Sequence, residues 1–279
     1  MQASSKTLPM WQILLCGAVI VSLAMGIRHG FGLWLQPMTQ ELGWGREDFA
    51  TAIGIQNICW GLFGIFSGML ADRFGAFRVM VVSALLYALG LWGMSHAVSP
   101  AYLSLTAGVM VGAAQAGTTF SMVFGVIGRN ISPEKRSWAM GVVSSAGSLG
   151  QFVFVPCSAY MIQHLGWQEA LWILAAGMLT VSPLILGLRE PGFAQGLSRP
   201  REQSISQALR EAFGYRSFQW LMLGYFVCGF QVVFIAVHLP GYLFDNGLAV
   251  QVGTTVLALV GLFNIVGTYT AGWMGGIWS

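Results

Sequence analysis

The segment GMLADRFGAFR, residues 68–78, decides how this chain is interpreted. It lies between two long apolar segments and combines one aspartate and two arginines with two glycines. Gly68 permits a helix end to pack closely against a neighbour, as does Gly64 one turn earlier. Asp72 can accept hydrogen bonds from backbone N–H groups at a helix start or pair with a basic side chain, and Gly75 permits a positive φ in a tight turn. These are the features of a compact charged loop between two membrane helices.

The composition of the chain is that of an integral membrane protein. Its 279 residues are 56% hydrophobic and only 8% charged, with a mean hydropathy of +0.69, whereas soluble domains carry about 25% charged residues. The first apolar segment is too long for a signal peptide and further spans follow it, so we expect it to be retained. Eight segments are long enough to cross a bilayer, which takes about 20 residues: residues 11–35, 49–70, 79–97, 102–127, 138–162, 169–188, 218–239 and 250–274.

The basic residues predict the orientation of these spans. Lys6 precedes the first span, and two, three and five basic residues lie in the loops after spans two, four and six. The loops on the other side contain Arg46 alone. Because basic residues concentrate in cytoplasmic loops, we expect a multi-pass protein of the cell inner membrane with a cytoplasmic N-terminus. The net charge of +3 originates in these loops, so we expect no nucleic-acid partner.

A polar and basic stretch divides the chain into unequal parts. We predict a six-helix transmembrane half at residues 1–188, a cytoplasmic linker at residues 189–216, and two helices of a second half at residues 217–279. The segment GWMGGIWS, residues 272–279, follows the eighth span as residues 68–78 follow the second, about 200 residues later. Such an offset is typical of two six-helix halves repeated in one chain. The second copy lacks the aspartate and stops within the motif, so we expect an incomplete protein that lacks its last four helices.

The linker contains a pattern typical of an amphipathic helix. Ser204 and Gln207 have the spacing of a capping box, and Ile205, Leu209 and Phe213 recur every four residues. The pattern predicts a short helix on the cytoplasmic membrane surface. A disordered tether is the alternative.

The segment 68–78 resembles the signature loop of the major facilitator superfamily, G-x-L-A-D-R-x-G followed by basic residues. Phe77 stands where the first basic residue is usual, and Arg78 supplies the next. In that family the loop holds the two halves in one access state, and the alternative is a generic basic loop that sets topology. The resemblance implies an all-α membrane bundle and a conformational-switch loop formed by Gly68, Asp72, Arg73, Gly75 and Arg78.

Further stretches are similar to the monocarboxylate-porter branch of that superfamily. They are GLWLQPMTQELGWGRE at residues 32–47, SPEKRSWAMGVVSSAGSLGQ at 132–151, GWQEALWIL at 166–174 and GYFVCGFQVVFIAVHLPGYL at 224–243. This resemblance implies an alternating-access carrier of small, often carboxylate-bearing metabolites.

Arg28 is the fixed charge inside a span, with His29 beside it. An arginine at mid-helix costs about 2.5–3.5 kcal/mol on insertion scales, so we expect Arg28 either to extend to the outer surface or to dock a substrate. All ten acidic residues fall in loops or at span ends, which favours an anionic substrate. His29 lies about where monocarboxylate porters can carry a lysine, and it is a candidate for proton transfer.

Polar side chains on other spans extend the candidate substrate site. Spans one, four and seven line the cavity in this superfamily, so we expect contributions from Gln115, Thr119, Gln231 and His238. Span eight carries Asn264 and no charge, whereas monocarboxylate porters carry an arginine there, which argues against a lactate-like mode of binding. Packing between helices is the alternative for each residue.

The sequence therefore predicts a secondary active transporter of a small organic anion. The alternatives are an exporter of hydrophobic or drug-like compounds, a non-transporting fragment of a carrier, and a polytopic receptor. The four cysteines lie inside spans without metal-ligand spacing, and the sequence has no nucleophile–base pair or phosphate loop, so we expect neither enzymatic activity, nor a metal, nor a cofactor. The expected partners are the lipid bilayer, the anion and, as a candidate coupling ion, the proton, and we expect a monomer.

Overall fold

A computed structural model describes residues 8–190 and 205–277, and every element within them is helical. Eight of the helices are long and apolar enough to cross a membrane, which agrees with the eight predicted spans. The elements are α1 (Met10–Gly30), α2 (Gly32–Leu42), α3 (Arg46–Phe74), α4 (Ala76–Ser95), α5 (Pro100–Asn130), α6 (Pro133–Leu165), α7 (Trp167–Leu188), α8 (Ile205–Gly214), α9 (Arg216–Asp245) and α10 (Val250–Ile277).

The bundle has two ends that differ in charge. We call the end at which α3 meets α4 and α5 meets α6 the basic end, since the arginine-rich loops lie there. The opposite end is where α2 meets α3 and α9 meets α10. The predicted linker helix corresponds to α8, although Ser204 and the side chain of Ile205 lie outside the described residues.

The first predicted span, residues 11–35, is interrupted in the structure, where α1 ends at Gly30 and α2 begins at Gly32. It continues to Leu42, and a turn at Phe31 separates α1 from α2. The Phe31 N–H donates to Arg28 O at 3.3 Å, which is the i→i−3 pattern of a locally tightened helix. Glycines flank Phe31 on both sides. The interruption therefore lies directly beside Arg28 and His29.

The fourth span is also irregular. Residues Ser104–Met110 form a π-helical segment, and Thr119 adopts an extended conformation between two α-helical segments. The Thr119 hydroxyl donates to the carbonyl of Gln115 at 2.7 Å. This break turns the polar side of α5 towards α3.

The helices α6 and α10 form a close seam that joins the first six spans to the eighth. A Cβ atom on Gly272 would lie 2.5 Å from Gly141 Cα, so glycines let the two backbones touch. Hydrogen bonds reinforce the seam, from Ser137 Oγ to Gly272 O at 3.1 Å and from Gln151 Nε2 to Leu257 O at 2.9 Å.

The buried core lies among the first six spans. Its largest fully buried side chains include Trp34, Tyr87 and Phe49. In contrast, most side chains of α9 between residues 217 and 235 are exposed. Near the opposite end α9 contacts α2, where a Cβ atom on Gly32 would overlap with Ala236 O. Thus α9 touches the first six spans at one end and diverges from them towards the basic end.

Candidate binding site

Arg28 lies at the edge of a large cavity between α1, α3 and α9. Its side chain is half-buried, and Nη2 donates to Asn57 Oδ1 at 2.7 Å. The guanidinium carbon lies 4.4 Å from the centre of the Trp60 ring, within the range of a cation–π interaction. Its Nε is buried and has no hydrogen-bond partner among the described residues. The guanidinium is therefore fixed in place by neutral groups and retains unused donors.

Two hydrogen bonds orient the groups that hold Arg28. The Asn57 side-chain amide donates through Nδ2 to Ile53 O at 2.8 Å, so its carbonyl oxygen is free to face the guanidinium. Trp60 Nε1 donates to the Thr119 hydroxyl at 3.2 Å. Because Thr119 is in turn bound to the backbone of α5, the indole is braced by the break in that helix.

The cavity has a volume of about 860 Å³. Its polar lining includes Arg28, Asn57 and Ser121 on one side and Tyr225 and His238 on α9. Among the residues described, no aspartate or glutamate lines it. The cavity therefore has a positive charge without a carboxylate to neutralise it.

A second cavity lies towards the opposite end, with a volume of about 570 Å³. Gln36, Gln163, Gln251 and Thr254 contribute its polar lining. The contact between Gly32 and Ala236 lies between the two cavities, since Arg28 and Val237 line the first while Gly32 and Pro240 line the second.

An ion pair connects α3 and α9 at the opposite end of the bundle. Arg46, at the start of α3, donates through Nη2 to Asp245 Oδ1 at 2.8 Å, at the end of α9. The partners are 199 residues apart, and both side chains are about half exposed. The pair therefore links the first six spans to the seventh at the surface.

The predicted substrate residues fall into two groups. Arg28 and His238 line the same cavity, and Thr119 reaches it indirectly through Trp60. Gln115 is fully buried inside the bundle, where its Nε2 lies 3.4 Å from the Tyr87 hydroxyl. The structure places His29, Gln231 and Asn264 outside the described lining of the cavity, and His29 Nδ1 is buried without a described partner.

Asn57 and Trp60 are the contacts of Arg28 that sequence reasoning did not single out. Both lie on α3, three residues apart, on the face that looks towards α1. A tryptophan and an asparagine one turn apart in the second span were the available signal. A regular series of aromatic residues on α9 was the other, since Phe226, Phe230 and Phe234 recur every four residues and line the cavity.

The predicted switch loop forms a tight turn at the basic end. Gly75 has a φ of 87°, which favours glycine, and it joins α3 to α4. The Asp72 carboxylate lies 3.8 Å from Arg129 Nη1, and Arg129 donates to Glu190 through Nε and Nη2 at 3.0 Å each. Of the remaining loop residues, Gly68 has open space at its Cβ position, Arg73 lies over Phe74, and Arg78 is exposed.

Comparison with known proteins gives one family. Residues 14–279 match the sequence profile of the Major Facilitator Superfamily. The chain is 24% identical to the uncharacterized MFS-type transporter YcxA of Bacillus subtilis (strain 168) and 26% identical to monocarboxylate transporter 13 of Bos taurus. Each alignment covers 95% of this chain but only 64% and 61% of the relative, so the chain spans less than two thirds of the length of these relatives.

A solved structure has the same fold. The crystal structure of a peptide transporter POT variant in complex with alafosfalin aligns with a TM-score of 0.58 at 18% identity. The alignment covers 82% of this chain and 48% of that transporter. The similarity between the two structures is in the arrangement of the helices.

Proposed function

The chain belongs to the Major Facilitator Superfamily, and from this premise we propose that it carries a small organic anion across the membrane by alternating access. The family consists of membrane transporters, so the protein is a multi-pass membrane protein of a transporter family and not an enzyme. We propose three further points: the class of substrate, the access mechanism, and that this chain is active by itself.

The arrangement around Arg28 is the observation that carries the proposal. Asn57 and Trp60 orient the guanidinium without neutralising it, and no acidic side chain among the described residues lines the cavity. A guanidinium presents parallel donors that match the two oxygens of a carboxylate. Such charge-assisted bonds are stronger away from bulk water. An anion is thus the ligand that this cavity accommodates at least cost.

The contact between α2 and α9 supports the access mechanism. It separates two cavities along the first span, and the backbones touch only because residue 32 is glycine. If α9 moved away from Gly32, the two cavities would merge into one cavity that extends towards the opposite end. We propose that this contact and the Arg46–Asp245 pair close the opposite end while the anion site is accessible from the basic end.

The proposal also includes the orientation of the chain in the membrane. We place the basic end in the cytoplasm, because basic loops are retained there, and the chain in the cell inner membrane as a monomer. The cavity lining described comes from one chain. If proton transfer accompanies transport, we assign it to His238, the imidazole that lines the cavity with Arg28.

Uptake by vesicles that contain the purified chain tests the proposal. The assay compares labelled organic acids for the parent, Arg28→Gln and Arg28→Lys. A hydrogen bond to a charged group contributes about 1.5–3 kcal/mol, so Arg28→Gln should reduce uptake roughly tenfold or more. Arg28→Lys keeps the charge but lacks the planar fork, and it should retain part of the activity. Undiminished acid uptake by Arg28→Gln would contradict the proposal that Arg28 binds an anionic substrate.

Export of hydrophobic compounds is the second candidate, because the aromatic residues of α9 give the cavity a largely apolar wall. It differs from anion transport in its dependence on Arg28. Neutral apolar dyes should be exported by the parent and by Arg28→Gln alike if this candidate is correct.

A further inference from the structure

A ladder of aromatic rings on α9 forms one wall of the cavity beside Arg28. Phe226, Phe230, Phe234 and His238 recur every four residues and all line it. The rings of Phe230 and Phe234 are stacked, with centroids 6.1 Å apart and an interplanar angle of 13°, and the His238 ring lies 5.3 Å from that of Phe234. Phe230 and Phe234 remain 64% and 57% exposed, so the described protein leaves much of their surface uncovered.

On α3, glycines alternate with larger side chains such as Ile53, Ile58 and Trp60 along the cavity wall. Gly54, Gly61 and Gly64 line the cavity, and no atom lies within 4 Å of the Cβ position of any of them. They recur at intervals of seven and three residues, which places them on one face of a helix. The glycines therefore leave gaps between the α3 side chains, and we call the open space between these gaps and the α9 rings the slot.

The slot has polar groups on both walls, with Arg28 on one side and Tyr225 and His238 on α9. Asn57 and Ser121 lie on the same side of the cavity as Arg28, and Arg28 is the single fixed cation of the described lining. One guanidinium can pair with one carboxylate, so a second carboxylate on the ligand would have no fixed cation to pair with and would be desolvated at a cost. A ligand ammonium would find no carboxylate among the described lining residues.

From these observations we propose that the cavity binds a flat aromatic monocarboxylate that carries no ammonium group. The carboxylate pairs with Arg28, and the planar body enters between the α3 glycines and the α9 rings, where aromatic groups stack favourably. This substrate class rests on the proposed anion transport and narrows it. Dicarboxylates and zwitterionic amino acids are therefore not expected to bind, and short carboxylates such as lactate are expected to bind weakly.

Equilibrium binding of four probes to the purified full chain in lipid nanodiscs tests this class. The probes are 2-naphthoate, its saturated counterpart decahydro-2-naphthoate, the neutral 2-naphthalenemethanol, and lactate. Because ring stacking adds to affinity, we expect 2-naphthoate to bind about two- to tenfold more tightly than decahydro-2-naphthoate. Because it has both the charged pair and the ring body, it should bind at least about tenfold more tightly than 2-naphthalenemethanol and lactate.

The four probes distinguish failure of the substrate class from failure of the proposed function. Equal binding of lactate or of decahydro-2-naphthoate would overturn the aromatic slot and leave anion transport standing. Equal binding of 2-naphthalenemethanol would overturn the anion itself. Binding of none of the four would overturn both, and it would indicate that lipid or another protein segment occupies the slot.

A pair of glycine variants locates the binding in the slot. Gly61→Leu fills the space beside the rings without meeting a neighbouring atom at its Cβ, and it should abolish 2-naphthoate binding. Gly267→Leu, on α10, has equally open surroundings and lies outside the described lining, so it controls for a larger side chain in a membrane helix. Retained 2-naphthoate affinity in Gly61→Leu would overturn the proposal, as would equal loss in both variants.

Discussion

Glycines occur in two of the regions where the first six spans face the last two, and the outcomes are opposite. In the α6–α10 seam, glycines face glycines and the helices close to backbone contact. In the α3–α9 cleft, Gly54, Gly61 and Gly64 face aromatic rings, and a cavity remains. Glycine alone therefore does not predict close packing, because the outcome depends on the side chains of the facing helix. The difference separates a close-packed seam from an open cavity.

The largest expected effect comes from a substitution that disrupts the seam between α6 and α10. A side chain at residue 272 would meet Gly141 Cα at 2.5 Å, and backbone cannot move aside as a flexible side chain can. Overpacking of this kind costs about 3 kcal/mol or more, so Gly272→Leu should strongly lower the thermal unfolding midpoint of the protein in detergent. Gly267→Leu is the matched control, because its surroundings are open. Similar midpoints for both variants would contradict a close-packed seam.

The second prediction concerns the charge of the cleft. Asn57→Asp places a carboxylate at the position of an amide that lies 2.7 Å from Arg28, so it should satisfy the guanidinium internally. Anion affinity should fall roughly tenfold to hundredfold, which equilibrium binding of labelled carboxylates would measure. Asn57→Ala removes the amide without supplying a charge and should cost less. If the two variants bound anions equally, the neutral environment of Arg28 would have no role.

The third prediction separates α9 from the first span at its one close contact. Gly32→Val introduces a Cβ that would overlap with Ala236 O, with an overpacking cost of about 1–3 kcal/mol that α9 can relieve by moving outward. A cysteine in place of Val237, which is 5% exposed, would report the movement in a background without the native cysteines. Labelling by an impermeant maleimide from the opposite end should increase about tenfold, since about 1.4 kcal/mol corresponds to that factor. Gly267→Val provides the control, and unchanged labelling would show that the contact closes nothing.

The smallest expected effect concerns the Arg46–Asp245 pair. Exposed ion pairs contribute about 0–1 kcal/mol, so Arg46→Gln should raise the same labelling less than about fivefold. The increase should disappear at about 1 M salt, where charges are screened within a few ångströms. The exchange Arg46→Asp with Asp245→Arg should restore the parental value, and failure to restore it would mean that the pair does not hold α9.

The number of spans and the charged loops could be predicted because they follow from local composition. Apolar length indicates each membrane helix, and the Asp72-to-Gly75 segment has the tight turn at Gly75 expected from its sequence. The break at Phe31 and the π-helical segment in span four are local departures that hydropathy does not detect.

The candidate site was less predictable because it depends on how neighbouring helices are rotated. Arg28 could be identified as an unusual charge, but its partners on α3 lie 29 or more residues away in sequence. Gln231 and His238 lie seven residues apart, and only His238 is among the described lining residues. Gln115 belongs to a buried hydrogen-bonded group with Gln56 and Tyr87, which is the packing alternative for a polar residue in a span.

The amide partner of Arg28 gives a means of sorting related sequences. Asparagine and aspartate codons differ by one base, so an internal salt bridge at this position is a single substitution away. Relatives that pair the span-one arginine with aspartate would have a neutral pocket and are expected to carry uncharged cargo, whereas those that retain asparagine are expected to carry acids. The identity of one residue in span two thus becomes a marker of cargo charge that can be read directly from genomes.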